Sequence, residues 1–289
     1  MQQVVIVGGT HGNEFTGAYL IKKFDRHPHL IQRSHLQVST LLANPKAFAA
    51  NRRYIERDLN RCFLTEDLQN PTLTSYEDQQ AKWINQTLGP KGNPQVDFIL
   101  DLHSTTTNMG LTLLLPSLHP FNLRLAAYLS TLHPLVKVCS LNTDRESSVL
   151  RSLTPLGCVI EVGPIAQGTL DATLFQQTET LIHATLDYLN AHNQSTPLPS
   201  PTELTLYQYL EPLDYPRNDQ GELLAMIHPQ LQFQDYQPLN PGDPMFLTFE
   251  GDAIAYSGSH TVYPIFINEA AYYEKGVALC LTERVTMTI

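Results

Sequence analysis

His11 and Glu14 stand three residues apart, just after the apolar run Val4-Val5-Ile6-Val7 and the glycines Gly8 and Gly9. Imidazole and carboxylate are both good zinc ligands. At this spacing on the first turn of a helix, their heads can converge on one ion. Alone, such a pair is more often a helix-entry histidine beside a solvated glutamate, so its meaning depends on whether a third ligand and a base stand elsewhere in the chain. His103 ends the run Phe98-Ile99-Leu100-Asp101-Leu102, which reads as a strand, and the carboxyl end of such a strand is where open α/β sheets build sites. Asp101 shares the face of His103, where a carboxylate can orient a ligating imidazole from behind. Glu161 interrupts the apolar run Val159-Ile160-Glu161-Val162. A charged carboxylate there is costly without a partner, so it requires a cation, a metal-associated water or a raised pKa. Two histidines and a glutamate around zinc, with a second glutamate to take a proton from water, form one hydrolase design.

The elements that must position these groups alternate. Residues 4–7, 35–42, 98–102, 111–115, 136–140 and 157–162 read as strands, and 15–24, 46–50, 74–88, 121–132 and 169–191 as helices. That order predicts an α/β fold, a mixed or mostly parallel sheet covered by helices. Between the second and third strands lies Asn51-Arg52-Arg53-Tyr54-Ile55-Glu56-Arg57-Asp58-Leu59-Asn60-Arg61, the densest cationic stretch of the chain. It reads either as a solvated charged loop or as an anion-binding loop whose guanidinium forks grip carboxylates. Arg151 sits in a later polar connection. Prolines at 197, 199 and 201 mark a stiff linker over 192–201. The expected domains are therefore 1–192, carrying the chemistry, and 202–289, a smaller mostly-β unit with strand-like pieces at 202–211, 245–249, 262–266 and 278–288.

The 289 residues are 42% hydrophobic, enough for a real core, and carry a net charge of -10. That charge argues against nucleic acid or an anionic membrane as the main partner, although a few placed arginines can still make a cationic pocket. The four cysteines are scattered without a CxxC, as expected of reduced thiols. The first residues lack the basic region of a signal peptide, and no run reaches the roughly 18 apolar residues of a membrane span. The expectation is a cytoplasmic protein.

The segments Gly8-Gly9-Thr10-His11-Gly12-Asn13-Glu14, Asn44-Pro45, Arg53 through Arg61, Asp101-Leu102-His103-Ser104-Thr105, Ile160-Glu161-Val162-Gly163-Pro164 and Val262 through Lys275 resemble those of aspartoacylases. That family hydrolyses N-acetylaspartate to acetate and aspartate, within a wider group of succinylglutamate desuccinylases and zinc carboxypeptidases. The resemblance implies a zinc-carboxypeptidase-like fold whose C-terminal domain narrows the substrate cleft. It implies one Zn2+ per chain on His11, Glu14 and His103, with Glu161 as general base and Arg53 polarising the scissile carbonyl. Asn60, Arg61 and Tyr272 would hold the substrate carboxylate, Arg151 would bind an acidic side chain, and Glu269 would line the pocket. A small N-acyl amino acid is the implied partner, and a homodimer the implied assembly. Mammalian aspartoacylases carry a tyrosine where Ser147 aligns and a lysine where Gly276 aligns. Deacylation of other N-acyl amino acids, aromatic or succinylglutamate-like, therefore stands as the alternative.

Two other readings are weaker. A nucleotide site at the first glycines fails because no register gives GxGxxG and no GKS or GKT is present after them. A catalytically dead hydrolase fold would be expected to lack a ligand or the base, and none is lacking.

Overall fold

The computed structural model describes residues 1–141, 147–196, 198 and 201–289. The apolar run at the start forms strand β1 (Gln3–Gly8), which is apolar and buried after Gln3 because parallel strands flank it on both sides and both of its faces are covered. Its alternate side chains divide between two cores. Val4 and Ile6 join Leu20, Ile21 and Phe24 of helix α1 (Phe15–Arg26). Val5 and Val7 join Leu59, Phe63 and Ile84 on the opposite face.

The chain continues through β2 (Gln37–Leu42), α2 (Pro45–Ala49), α3 (Thr65–Gln69) and α4 (Tyr76–Leu88). Then come β3 (Phe98–Ser104), β4 (Gly110–Leu115), α5 (Pro120–Ser130), β5 (Val136–Ser140), β6 (Gly157–Gly163) and α6 (Ala172–Asn193). Strands β7 (Glu203–Leu213), β8 (Ala225–Ile227), β9 (Pro244–Thr248), β10 (Ala253–Ala255) and β11 (Leu279–Thr288) complete it. The large sheet has the order β11-β7-β5-β4-β6-β3-β1-β2. It is mixed: β4 runs antiparallel to β6, and β11 antiparallel to β7. On β3, Phe98, Leu100 and Leu102 enter the core shared with α1, while Ile99 enters the core on the α4 side. By alternation, Asp101 and His103 stand on the α4 side with Ile99.

Chain beyond the linker does two things. β7 and β11 lengthen the large sheet, while β8, β9 and β10 make a separate three-stranded sheet over its own core, including Ala225, Phe246 and Val262. Within the linker, Pro197, Pro199 and Ser200 lie outside the described residues. No helix among the described residues is long and apolar enough to cross a membrane.

One expected strand is absent. Residues 262–266 join their neighbours through single bridges, Leu239 with Val262 and Ile265 with Cys280. Pro264 offers no N–H to a ladder, and Phe266 takes a φ of 53°, which ends regular extension. The segment's apolar residues serve packing, with Val262, Ile265 and Phe266 all buried.

Candidate active site

His11 and Glu14 lie on the turn that precedes α1, rather than on its first helical turn: the Glu14 amide donates to the His11 carbonyl at 3.2 Å. Two glycines permit this turn. Gly9 has a φ of 67°, which a side chain disfavours. At Gly12 a Cβ would come within 2.1 Å of the Ala47 carbonyl carbon, so only glycine lets α2 approach so closely.

The two imidazoles are held alike. His11 Nδ1 lies 2.6 Å from Glu14 Oε1 and His103 Nδ1 2.9 Å from Glu14 Oε2. On the far side of each ring, His11 Nε2 lies 3.0 Å from Asp58 Oδ1, and His103 Nε2 lies 3.0 Å from Asp101 Oδ2. A carboxylate behind Nε2 keeps a proton there and leaves the Nδ1 lone pair for a cation. One donor atom each from His11, Glu14 and His103 lie within 4.8 Å of one another. Buried, with two neutral-nitrogen donors and one carboxylate oxygen, the cluster fits a divalent metal ion. The electrostatics agree. Burial raises the Glu14 pKa, but the two histidines outweigh it and hold the carboxyl well below its usual range. Burial lowers the His103 pKa, and Asp101 and Glu14 overcome that to raise it well above the ordinary value. The arrangement favours positive charge at its centre.

Arg53 reaches the same cluster, with Nη1 donating to Glu14 Oε1 at 3.2 Å and Nη2 lying 2.9 Å from His11 Nε2. That nitrogen cannot both donate to Asp58 and accept from Arg53. If Nδ1 serves a cation, the Nε2 proton faces Asp58, and Arg53 Nη2 is released as a donor for another acceptor.

Glu161 pairs in register with His103 across β6 and β3. It is buried, and its carboxylate forms no hydrogen bond among the described residues. Burial drives its pKa well above the usual carboxylate value, against the pull of His103. Arg53, the obvious structural partner, pairs instead with Glu14 and Asp58.

Apart from Asp101, every residue expected at the site lines one cavity of about 390 Å3. It holds the His11, Glu14 and His103 cluster, Glu161 and Arg53, with Asn60, Arg61, Arg151, Glu269 and Tyr272. Arg151 is only 6% exposed. Its Nη1 donates to the Thr154 carbonyl at 3.2 Å, and no carboxylate among the described residues pairs with it. Burial pushes it down to about 10. Asn60 spends its Oδ1 on the Leu150 amide at 2.9 Å, tying the cationic loop to the turn that carries Arg151. Glu269 lines the cavity, yet its oxygens are committed to the Thr106 amide, the hydroxyls of Thr105 and Thr106, and the Ala271 amide. It clamps the end of β3 to the 270–275 segment. Of the two departures from the aspartoacylase pattern, Ser147 lines the cavity, whereas Gly276 has a φ of 64° and a Cβ there would meet Asp214.

Three charged residues escaped the sequence reading. Asp58 lay hidden within the cationic stretch, and Lys275 carried no signal. Glu77 had one: it falls on the buried stripe of α4 with Ala81, Ile84 and Leu88. Its carboxylate accepts the backbone amides of Ile55, Glu56 and Arg57 and the Asn44 side chain, and so shapes the cationic loop.

With this fold and site, residues 1–189 match the succinylglutamate desuccinylase/aspartoacylase catalytic domain, and residues 202–284 the AstE/AspA barrel-sandwich hybrid domain. The chain belongs to the succinylglutamate desuccinylase/aspartoacylase family. It is 58% identical to a probable aspartoacylase of Nostoc sp. over 98% of its own length and 97% of that protein. It is also 42% identical to the human N-acyl-aromatic-L-amino acid amidohydrolase (carboxylate-forming), over 100% and 92% of the two chains. The crystal structure of murine aminoacylase 3 superposes with a TM-score of 0.95 at 40% identity, covering 100% of this chain and 97% of that one.

Proposed function

We propose that this protein is a zinc-dependent amidohydrolase that cleaves N-acyl amino acids to a carboxylate and the free amino acid, with N-acetyl-L-aspartate among its substrates. The reading rests most on Glu161, a buried carboxylate without a hydrogen-bond partner among the described residues, sharing a cavity with a His-Glu-His cluster. One Zn2+ on His11, Glu14 and His103 would supply the Lewis acidity that makes water a nucleophile near neutral pH.

The chain's own groups perform the rest. Glu161 accepts the proton of the attacking water and delivers it to the leaving nitrogen as the carbon–nitrogen bond breaks. Arg53 donates to the carbonyl oxygen as negative charge gathers there. Arg61, the Asn60 amide nitrogen and Tyr272 hold the α-carboxylate. Arg151, a buried guanidinium without a carboxylate among the described residues, meets a second carboxylate on the substrate side chain. Asp58 and Asp101 keep the two imidazoles in one tautomer. Residues 202–289 act as a cap on chemistry seated in 1–192, contributing Tyr272 and the Glu269 clamp. No nucleic acid or membrane takes part, and the protein works in the cytoplasm.

A second reading has its own support. Leu114, Leu141, Val149 and Phe266 give the cavity an apolar wall, and Ser147 leaves it roomier than a tyrosine would. N-acyl aromatic amino acids suit such a wall. A panel of N-acyl amino acids, assayed with zinc-loaded and chelator-stripped protein, separates the two. N-acetylaspartate should give a higher kcat/KM than N-acetylphenylalanine, and both activities should vanish on stripping. The opposite preference would reassign the substrate to the aromatic class.

A further inference from the structure

Lys275 ends the 3-10 segment Ala270–Lys275 that carries Tyr272, far in sequence from the metal-ligand cluster. Its Nζ nevertheless lies 2.7 Å from Asp58 Oδ2, and 5.6 Å from the centre of the Tyr272 ring. The other oxygen of Asp58 is committed to the cluster side, lying 3.0 Å from His11 Nε2 and accepting the Asn60 amide at 3.0 Å. Asp58 is buried and Lys275 half-buried, so water screens the pair poorly.

We propose that Lys275 is a positioning residue for His11, acting through Asp58 to join the cap segment that holds Tyr272 to the metal-ligand cluster. The inference rests on reading that cluster as a metal site. A carboxylate orients an imidazole only if it is itself prevented from turning. Among the described residues, Asp58 Oδ2 pairs with one other cation, Arg53, whose Nε is 3.5 Å away. Without Lys275, the carboxylate would be drawn toward that guanidinium and away from His11 Nε2. Arg53 is the weaker anchor, because its Nη1 and Nη2 are directed at Glu14 and His11 and its Nε, 3.5 Å from Oδ2, makes no hydrogen bond. Lys275 pairs with no other carboxylate among the described residues, and at 2.7 Å it holds Oδ2 more closely than Arg53 does. The same carboxylate also fixes the Asn60 amide, so one ion pair sets three things together: the His11 tautomer, the start of the turn bearing Asn60 and Arg61, and the seat of Tyr272.

The test is the Zn2+ dissociation constant, measured with zinc alone by competition against a chromophoric chelator. Lys275→Met should weaken zinc binding by about tenfold, the low end of the effect of groups behind metal ligands. Asp58→Asn should weaken it at least as much, and the double variant no further than Asp58→Asn alone, because both act on one group. Lys275→Arg should restore most of the affinity. Alongside, KM should rise in Lys275→Met more than kcat falls, a split that general loss of stability would not produce. Unchanged zinc affinity in Lys275→Met, or additive effects in the double variant, would overturn the inference alone. Wild-type protein with no tight zinc would overturn the metal reading and this inference with it.

Discussion

A neutral imidazole has one lone pair, and in His11 and His103 the carboxylates behind the rings decide which nitrogen carries it. Asp58 and Asp101 each face an Nε2, so both Nδ1 atoms are turned toward Glu14. Removing one ligand from a three-residue set should empty it. His103→Ala is expected to fold and to lose both bound zinc and activity, and stoichiometric zinc in that variant by elemental analysis would show the ligand assignment to be wrong. The two cavity arginines differ in environment and so should differ in effect. Arg53 is half-buried against Glu14 and Asp58, beside the His-Glu-His cluster, whereas Arg61 is exposed with its Nη1 on the Asn60 carbonyl. Arg53→Ala should lower mainly kcat, by about 10²–10³-fold as for the loss of one oxyanion donor. Arg61→Ala should raise mainly KM. Steady-state kinetics with the partition reversed would exchange the two roles.

Among the elements, the loop of residues 51–61 is where local sequence says least and tertiary contact most. It has neither helical nor strand periodicity, because its shape is imposed from outside by Glu77 on α4, which accepts three successive backbone amides. Glu77→Ala would leave those donors without their acceptor, at about 1–3 kcal/mol for each that stays buried. A drop of at least about 2 kcal/mol in denaturant unfolding is expected, with a raised KM and a smaller loss in Glu77→Gln. Wild-type stability in Glu77→Ala would mean that the loop holds its own shape. The strands that border the site were legible, since β1, β3 and β6 are apolar runs, interrupted on β3 by Asp101 and His103 and on β6 by Glu161. Glu161 could be found for the same reason, as a charge where burial forbids one. Asp58 and Lys275 could not be paired in advance, because each is an ordinary charged residue until the fold brings it to the other. Residues 262–266 misled in the opposite direction: apolar spacing looked like a strand, but Pro264 and the turn at Phe266 decided otherwise.

For the whole molecule, the cavity joins residues from both sides of the linker, and the clamps that close it are polar. Glu269 fastens the end of β3 to the cap segment, and Asp235 accepts amides from Asn108 and Ile267, tying the β3–β4 connection to the same region. A ligand bound by the folded state alone stabilises it by about 4 kcal/mol at a thousandfold excess over its dissociation constant. Zinc removal should therefore lower the unfolding midpoint by several degrees, and re-addition should restore it; a midpoint indifferent to chelator would place any zinc away from His11, Glu14 and His103. β7 and β11, from beyond residue 202, extend the large sheet, so the two sides of the linker share one sheet as well as one cavity. The His-Glu-His cluster and the cavity both border Glu161, which has no hydrogen-bond partner among the described residues and to which the proposed reaction gives one task, moving a proton. The decisive measurement is kcat of a folded, zinc-loaded Glu161→Gln variant on N-acetylaspartate. Glutamine keeps the shape and cannot accept the proton, so kcat should fall at least ~100-fold with zinc content unchanged. A wild-type kcat in that protein would contradict the proposed reaction.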